Sequence, residues 1–289
     1  MTWRPRDPQA LLPRRLQAAV ITGLVLFAAV PVLFMVLMSV TPDTEVAGGT
    51  LWPTTFELHN YLDIWETVSL ADGLVNSLVV SLAAAVVATV LAVGAAYCLT
   101  RFTFIGRRPF LAGMVLLQSL PGALLILPLF VVFSSLGSAL GVMIVGTRLA
   151  MVITYLTFAL PLATWVMVTY LRKLPQSLEE AGLVDGLTRF GALRRIILPL
   201  SWPGMVVALV FSFLLGWNDV LFASVLTRPE TRTVAIELQV FGQSVEGGSV
   251  PLYGQLMGAS VVCAIPVVAL YLVFQRYLVG GLTSGGVKG

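Results

Sequence analysis

Six predominantly apolar runs of about 20 or more residues dominate this sequence, and each is long enough to cross a ~30 Å hydrocarbon core as a helix. They fall at approximately 16–40, 75–100, 109–134, 147–171, 202–226 and 256–278. Lipid offers no partner for backbone N–H and C=O groups, so runs of this kind span as helices that satisfy those groups internally. With 58% hydrophobic and 11% charged residues, the chain has too little polar surface to cover itself in water. The expected fold is all-α, a polytopic membrane helical bundle of six transmembrane helices forming a single domain over 1–289. The third run is the least regular, because Pro121 and Pro128, with Gly122, kink or interrupt it. The first run follows Arg4, Arg6, Arg14 and Arg15, as a secretory signal would. It exceeds the length of a signal core, and 41–53 offers no small-residue cleavage site, so it reads as a retained helix.

Alternating the intervening segments between two sides tests the orientation. Of the 17 Lys and Arg residues, fourteen fall on one set of segments, while Arg148, Arg228 and Arg232 fall on the other. Basic residues gather on the cytoplasmic side of an inner membrane. Both termini and 172–199 are therefore expected in the cytoplasm, with the acid-rich 41–74 segment outside. The net charge of +3 does not indicate nucleic acid, since the basic residues form no stripe with interleaved aromatics. Cys98 and Cys263 sit inside apolar runs and read as small buried hydrophobes. His59 has no partner histidines or cysteines, so no metal site is expected, and no catalytic constellation is visible.

The segment between the fourth and fifth runs carries most of the remaining information. Ser177, with Glu180 three residues later, has the pattern of a capping box, and Glu179 and Glu180 suit the positive end of a helix dipole. A short cytoplasmic helix is expected there. Its positions Leu178, Ala181 and Val184 form one apolar face, small Ala181 and Gly182 permit close approach by another surface, and Gly186 supplies a stop. Thr188 caps a second stretch that Pro199 is expected to end before the fifth run. Two readings fit this pattern: an amphipathic elbow lying on the membrane, and a docking element for a soluble partner.

The spacing resembles the permease subunits of binding-protein-dependent ATP-binding-cassette importers. Their signature is Glu-Ala-Ala, three residues, Gly, nine residues, then Ile-x-Leu-Pro; here it is Glu180-Ala181-Gly182, Gly186 and Ile196-Ile197-Leu198-Pro199, with Gly182 the one departure. Asn76-Ser77, Asp185-Gly186, Trp217-Asn218-Asp219 and the glycine-rich ending 281–289 are similar to the carbohydrate-uptake branch, and to the second permease of maltose-type systems within it. The resemblance implies a type I importer permease with a cytoplasmic coupling helix. Its implied partners are a related permease, two cytoplasmic ATPase subunits and an extracytoplasmic solute-binding protein. It also implies that Glu180, Ala181, Gly182, Asp185, Gly186, Ile196, Leu198 and Pro199 serve ATPase coupling, and that the C-terminal tail, otherwise read as a disordered end, reaches the ATPase. ATP and magnesium would be held by the ATPase; this chain has no Gly-x-x-x-x-Gly-Lys-[Ser/Thr] loop for phosphates and needs no cofactor of its own.

Asp219 is the one acid well inside an expected span, roughly 24 Å along it from Pro203 at ~1.5 Å per residue. Acids in that setting usually face a wet cavity or the bundle interior. With Asn218 and Trp217 it could line a sugar path, or it could bond a neighbouring helix. A secondary transporter is the rival class, but it would ordinarily need coupling acids or bases near the midplane, and only Asp219 is available. An intramembrane enzyme would need a nucleophile with its base, which the runs lack. The solute is expected to be a di- or oligosaccharide, with a glycerol-phosphate-type compound as the alternative.

Overall fold

The computed structural model describes residues 13–67, 69–247 and 252–283, and no strand occurs among them. The helices are α1 (Arg14–Ser39), α2 (Asp43–Ala47), α3 (Asn60–Thr67), α4 (Leu70–Arg101), α5 (Arg107–Ser119), α6 (Ile126–Leu140), α7 (Arg148–Leu171), α8 (Ser177–Val184), α9 (Arg189–Ala192), α10 (Leu198–Trp217), α11 (Leu221–Leu226), α12 (Val234–Gly247) and α13 (Tyr253–Thr283). Among the described residues, six helical stretches have membrane-spanning length and apolarity: Arg15–Ser39, Leu70–Arg101, Gly122–Leu140, Arg148–Leu171, Arg189–Trp217 and Tyr253–Leu278.

The third and fifth stretches differ from the sequence expectation. The third run splits at Leu120 and Pro121: α5 ends at Ser119, one 3-10 turn covers Gly122–Leu125, and α6 begins at Ile126. The apolar span therefore lies later than 109–134. Pro128 falls in the first turn of α6, and the helix continues through it without interruption. Pro199 likewise fails to end the stretch that Thr188 begins. A five-residue π turn, Leu193–Ile197, runs directly into α10, and the helix continues through Pro199 at its second position. The fifth span is continuous from Arg189 and stops at Trp217, short of the expected 226; α11 is a separate short helix. The C-terminal tail is helical to Thr283, and 284–289 lie outside the described residues.

The described residues cluster into two compact units. The first comprises 13–66 together with 244–247 and 252–262. Within it, Asn60 is buried and its Nδ2 donates to the carbonyls of Ser39 (3.1 Å) and Thr41 (3.3 Å), while the hydroxyls of Ser39 and Tyr61 lie 2.6 Å apart. The N–H of Gly254 donates to Asp43 Oδ1 at 2.6 Å. A Cβ on Gly254 would stand 2.7 Å from both Asn60 Nδ2 and the Thr41 carbonyl, so the polar knot requires glycine there. Burial holds the Asp43 carboxyl above its ordinary range, against the lowering effect of the Gly254 and Gln255 amides. Apart from its last turn, α1 is bare, with none of its span window buried.

The second unit, residues 67, 69–243 and 263–283, is built on α4, α7 and α10, which pack on one another. Helices in lipid gain little from hydrophobic association and depend on close packing, which favours small residues at the contacts. Ala88, Ala92 and Ala96 of α4, Ala159 and Ala163 of α7 and Ala208 of α10 share one fully buried cluster. Two glycines of α10 allow still closer approach. A Cβ on Gly204 would lie 2.6 Å from the Tyr170 ring, and one on Gly216 would lie 2.7 Å from the Tyr155 ring. At one end of α4, Asn76 and Ser77 hold the turn before α12. Asn76 Nδ2 donates to the carbonyls of Glu230 (3.1 Å) and Arg232 (2.9 Å), and Asn76 Oδ1 accepts from Arg148 Nε at 2.7 Å. Ser77 Oγ accepts the N–H of Val234 at 2.8 Å.

Candidate functional site

The segment between α7 and α10 forms a compact elbow. The capping box expected at Ser177 is absent: Gln176 is the N-cap, and no side chain caps this end. The backbone supplies the acceptors instead, the Pro175 carbonyl taking Leu178 N–H and the Gln176 carbonyl taking the N–H groups of Glu179 and Glu180. The opposite end follows expectation. Gly186 adopts φ +87°, its N–H donates to the Leu183 carbonyl (3.1 Å), and Leu187 N–H donates to the Gly182 carbonyl (2.9 Å), which together close the helix. Thr188 then caps α9 by accepting the Gly191 N–H at 3.1 Å.

Which side of α8 is buried differs from what a helix packed on its own protein would show. Glu179 and Gly182 are the buried residues, whereas Leu178, Ala181 and Val184, the apolar face read from the sequence, are exposed, Val184 at 88%. Glu180, Asp185 and Gly186 are also exposed. An amphipathic helix normally turns its apolar stripe to the core. Here the stripe faces away and an acid faces in.

The acid is held from α4. Tyr97 donates its hydroxyl to Glu179 Oε1, and Arg101 Nε meets Glu179 Oε2 at 3.1 Å, with the arginine and glutamate side chains 7% and 10% exposed. The same guanidinium donates from Nη2 to the Leu174 carbonyl at 3.2 Å. Arg189 lies 5.3 Å from the centre of the Phe102 ring, which meets Tyr97 edge-on at 5.8 Å. Glu179 was read from the sequence only as a first-turn acid; its partners lie 78 and 82 residues earlier in the chain, beyond the reach of local pattern. Gly182 supplies a second link: a Cβ there would stand 2.6 Å from Ile196 Cδ1, so its missing side chain lets the π turn approach. Leu198 is half-buried against the central cluster, and Pro199 is exposed.

The second set of candidates, at the end of α10, is dispersed. Trp217 is buried and stacks on Phe213 with ring centres 5.4 Å apart. Asn218 is exposed, and its Nδ2 donates back to the Leu214 carbonyl at 2.9 Å. Asp219 accepts Tyr155 Oη–H (3.0 Å) and Ala223 N–H (3.0 Å) on Oδ2, and Phe222 N–H (3.3 Å) on Oδ1. Its carboxylate thus caps α11 and joins it to α7. Among the described residues, no group of three or more His, Cys, Asp or Glu side chains is placed to hold a metal ion.

The chain is thus a helical bundle with membrane-spanning stretches that presents an anchored helix with its apolar face outward. Residues 88–282 match the family described as "Binding-protein-dependent transport system inner membrane component", and the chain belongs to that family. It is 35% identical over 266 residues to the "Trehalose transport system permease protein SugB" of Mycobacterium tuberculosis, covering 91% of this chain and 93% of that one. It is 32% identical over 275 residues to the "Trehalose/maltose transport system permease protein MalG" of Thermococcus litoralis, with coverage of 93% and 96%. A chain of a bacterial ABC transporter that imports the acidic polysaccharide alginate shares the fold, with a TM-score of 0.75 at 20% identity over 95% of this chain and 99% of that chain.

Proposed function

We propose that this chain is one of two related permeases in an ATP-driven importer of a di- or oligosaccharide. It would work with two cytoplasmic ATPase subunits and an extracytoplasmic solute-binding protein. The observation that carries the reading is α8, whose apolar face points away from its own bundle while its buried face is tied to α4 and the π turn. A helix so arranged needs an outside partner for Leu178, Ala181 and Val184. Relatives that carry trehalose or maltose in their names, over nearly the whole chain, favour a sugar as the solute.

In this reading Glu180 pairs with a basic residue of the ATPase, Ala181 permits close packing, and Asp185 and Gly186 set the turn that presents the helix. Closure of the ATPase dimer on ATP and magnesium pushes α8, and the push passes through the elbow to the central spans, which open alternately to each side. The chemistry of ATP belongs to the partner, and this chain catalyses no step. The split of basic residues favours an elbow and termini that face the cytoplasm. Asp219 has a structural part, its oxygens taken up by Tyr155 and the first turn of α11.

The test is to substitute Glu180→Ala and Gly186→Ala, then measure co-purification with the ATPase and ATP-dependent uptake in the assembled complex. Both values are expected to fall for Gly186→Ala, whose left-handed backbone disfavours a side chain. Wild-type values for both variants would refute the docking assignment.

A further inference from the structure

α8 is fastened to its bundle in two physically different ways. Toward the π turn the contact is apolar, with Gly182 against Ile196, and such surfaces can slide by fractions of an ångström at little cost. Toward α4 it is a buried ion pair supplemented by the Tyr97 hydroxyl and a second arginine bond to the Leu174 carbonyl. Separating charges that are nine-tenths buried leaves each without a partner and only partly rehydrated, which is costly in a protein. The polar fastening therefore resists separation where the apolar one yields.

From this contrast we infer that Tyr97, Arg101 and Glu179 form the joint that makes α8 and α4 move as one body, delivering displacement of the docking helix to the second membrane span. Glu179 is a positioning residue in this scheme, acting on α4 through Arg101 and Tyr97, and Glu180 beside it keeps the outward face for the partner. Arg101 has a further geometric role. Its guanidinium reaches both Glu179 and the turn after α7, so one side chain gathers the ends of α4, α7 and α8. The Arg189 stack on Phe102, next to Tyr97, closes the same corner from the α9 side. α4 then carries the motion along the alanine face it shares with α7 and α10.

The inference rests on the proposed coupling to an ATPase, and the experiment separates the two. The complete importer is purified with wild-type, E179Q, R101Q, E179Q/R101Q or Y97F permease. Each preparation is scored for ATPase co-purification and, in proteoliposomes with the binding protein, for solute taken up per ATP hydrolysed. E179Q is expected to retain the ATPase at the wild-type ratio and to lose at least tenfold in solute per ATP. The double substitution is expected to be no worse than the worse of the two single ones, because the three groups act as a unit. Y97F, which keeps the ring and the ion pair, should lose a smaller factor of two to five. An unchanged solute-per-ATP ratio in an E179Q complex that retains its ATPase would overturn the joint. If E179Q does not accumulate in the membrane, Y97F decides by the same criterion. Failure of the wild-type chain to co-purify with any ATPase would instead remove the underlying coupling.

Discussion

Two glycines illustrate how the same residue type answers to different constraints. Gly182 is the one departure from the Glu-Ala-Ala spacing that the sequence resembles, and the nearest atom a Cβ would meet is the terminal methyl of Ile196, which can rotate away. Gly182→Ala should therefore change thermal stability by no more than about 1 kcal/mol, the strain being offset by the better helix propensity of alanine, ~1 kcal/mol. Gly204 faces the base of the Tyr170 side chain, whose Cγ, Cδ2 and Cβ lie 2.6, 2.9 and 3.0 Å from the added Cβ and cannot swing clear as a terminal methyl can. Overpacking of that kind costs about 1–3 kcal/mol, so Gly204→Ala should lower the melting temperature of the detergent-solubilised complex where Gly182→Ala does not. Asp219→Ala removes the cap of α11 and is expected to cost ~1 kcal/mol of stability. Apparent solute affinity in uptake assays should stay unchanged; a shift in affinity without loss of stability would return Asp219 to the solute path.

At the scale of elements, α8 is where local pattern was both informative and misleading. The spacing of Leu178, Ala181 and Val184, the stop at Gly186 and the cap at Thr188 are all local properties, and the helix has them. Whether the apolar face turns inward depends on what lies beneath it, and Tyr97 and Arg101 arrive from a distant part of the chain to receive Glu179. The expected capping box failed because the backbone of Pro175 and Gln176 already served the first N–H groups. Pro199 reads as a stop in the sequence, yet the helix runs through it directly after a π turn, and that turn has no simple sequence signature. The exposed face makes its own prediction. Val184→Asp, at a position 88% exposed, should leave permease stability within ~0.5 kcal/mol of wild type yet reduce ATPase co-purification several-fold. An unaltered yield of ATPase would point to the membrane surface as the occupant of that face.

For the whole molecule, the six spans separate into two kinds. Those on α4, α7 and α10 have close to half of their windows buried within the chain, while those on α1, α6 and α13 have little or none. Apolarity located all six runs but could not distinguish these classes, since lipid-facing and partner-facing surfaces are equally hydrophobic. The breaks at Pro121 and Asn218 moved the third and fifth spans for a related reason: hydropathy registers apolar composition, whereas backbone hydrogen bonding decides where a helix ends. The proposed function makes these spans a passage driven from outside the chain through α8. It is tested most directly by reconstituting the permease pair in liposomes with and without the ATPase, with the binding protein present and radiolabelled disaccharide supplied. Accumulation is expected only when ATPase and ATP are both present, and is expected to be lost with Val184→Asp. Accumulation driven by an ion gradient in liposomes that contain no ATPase would contradict it.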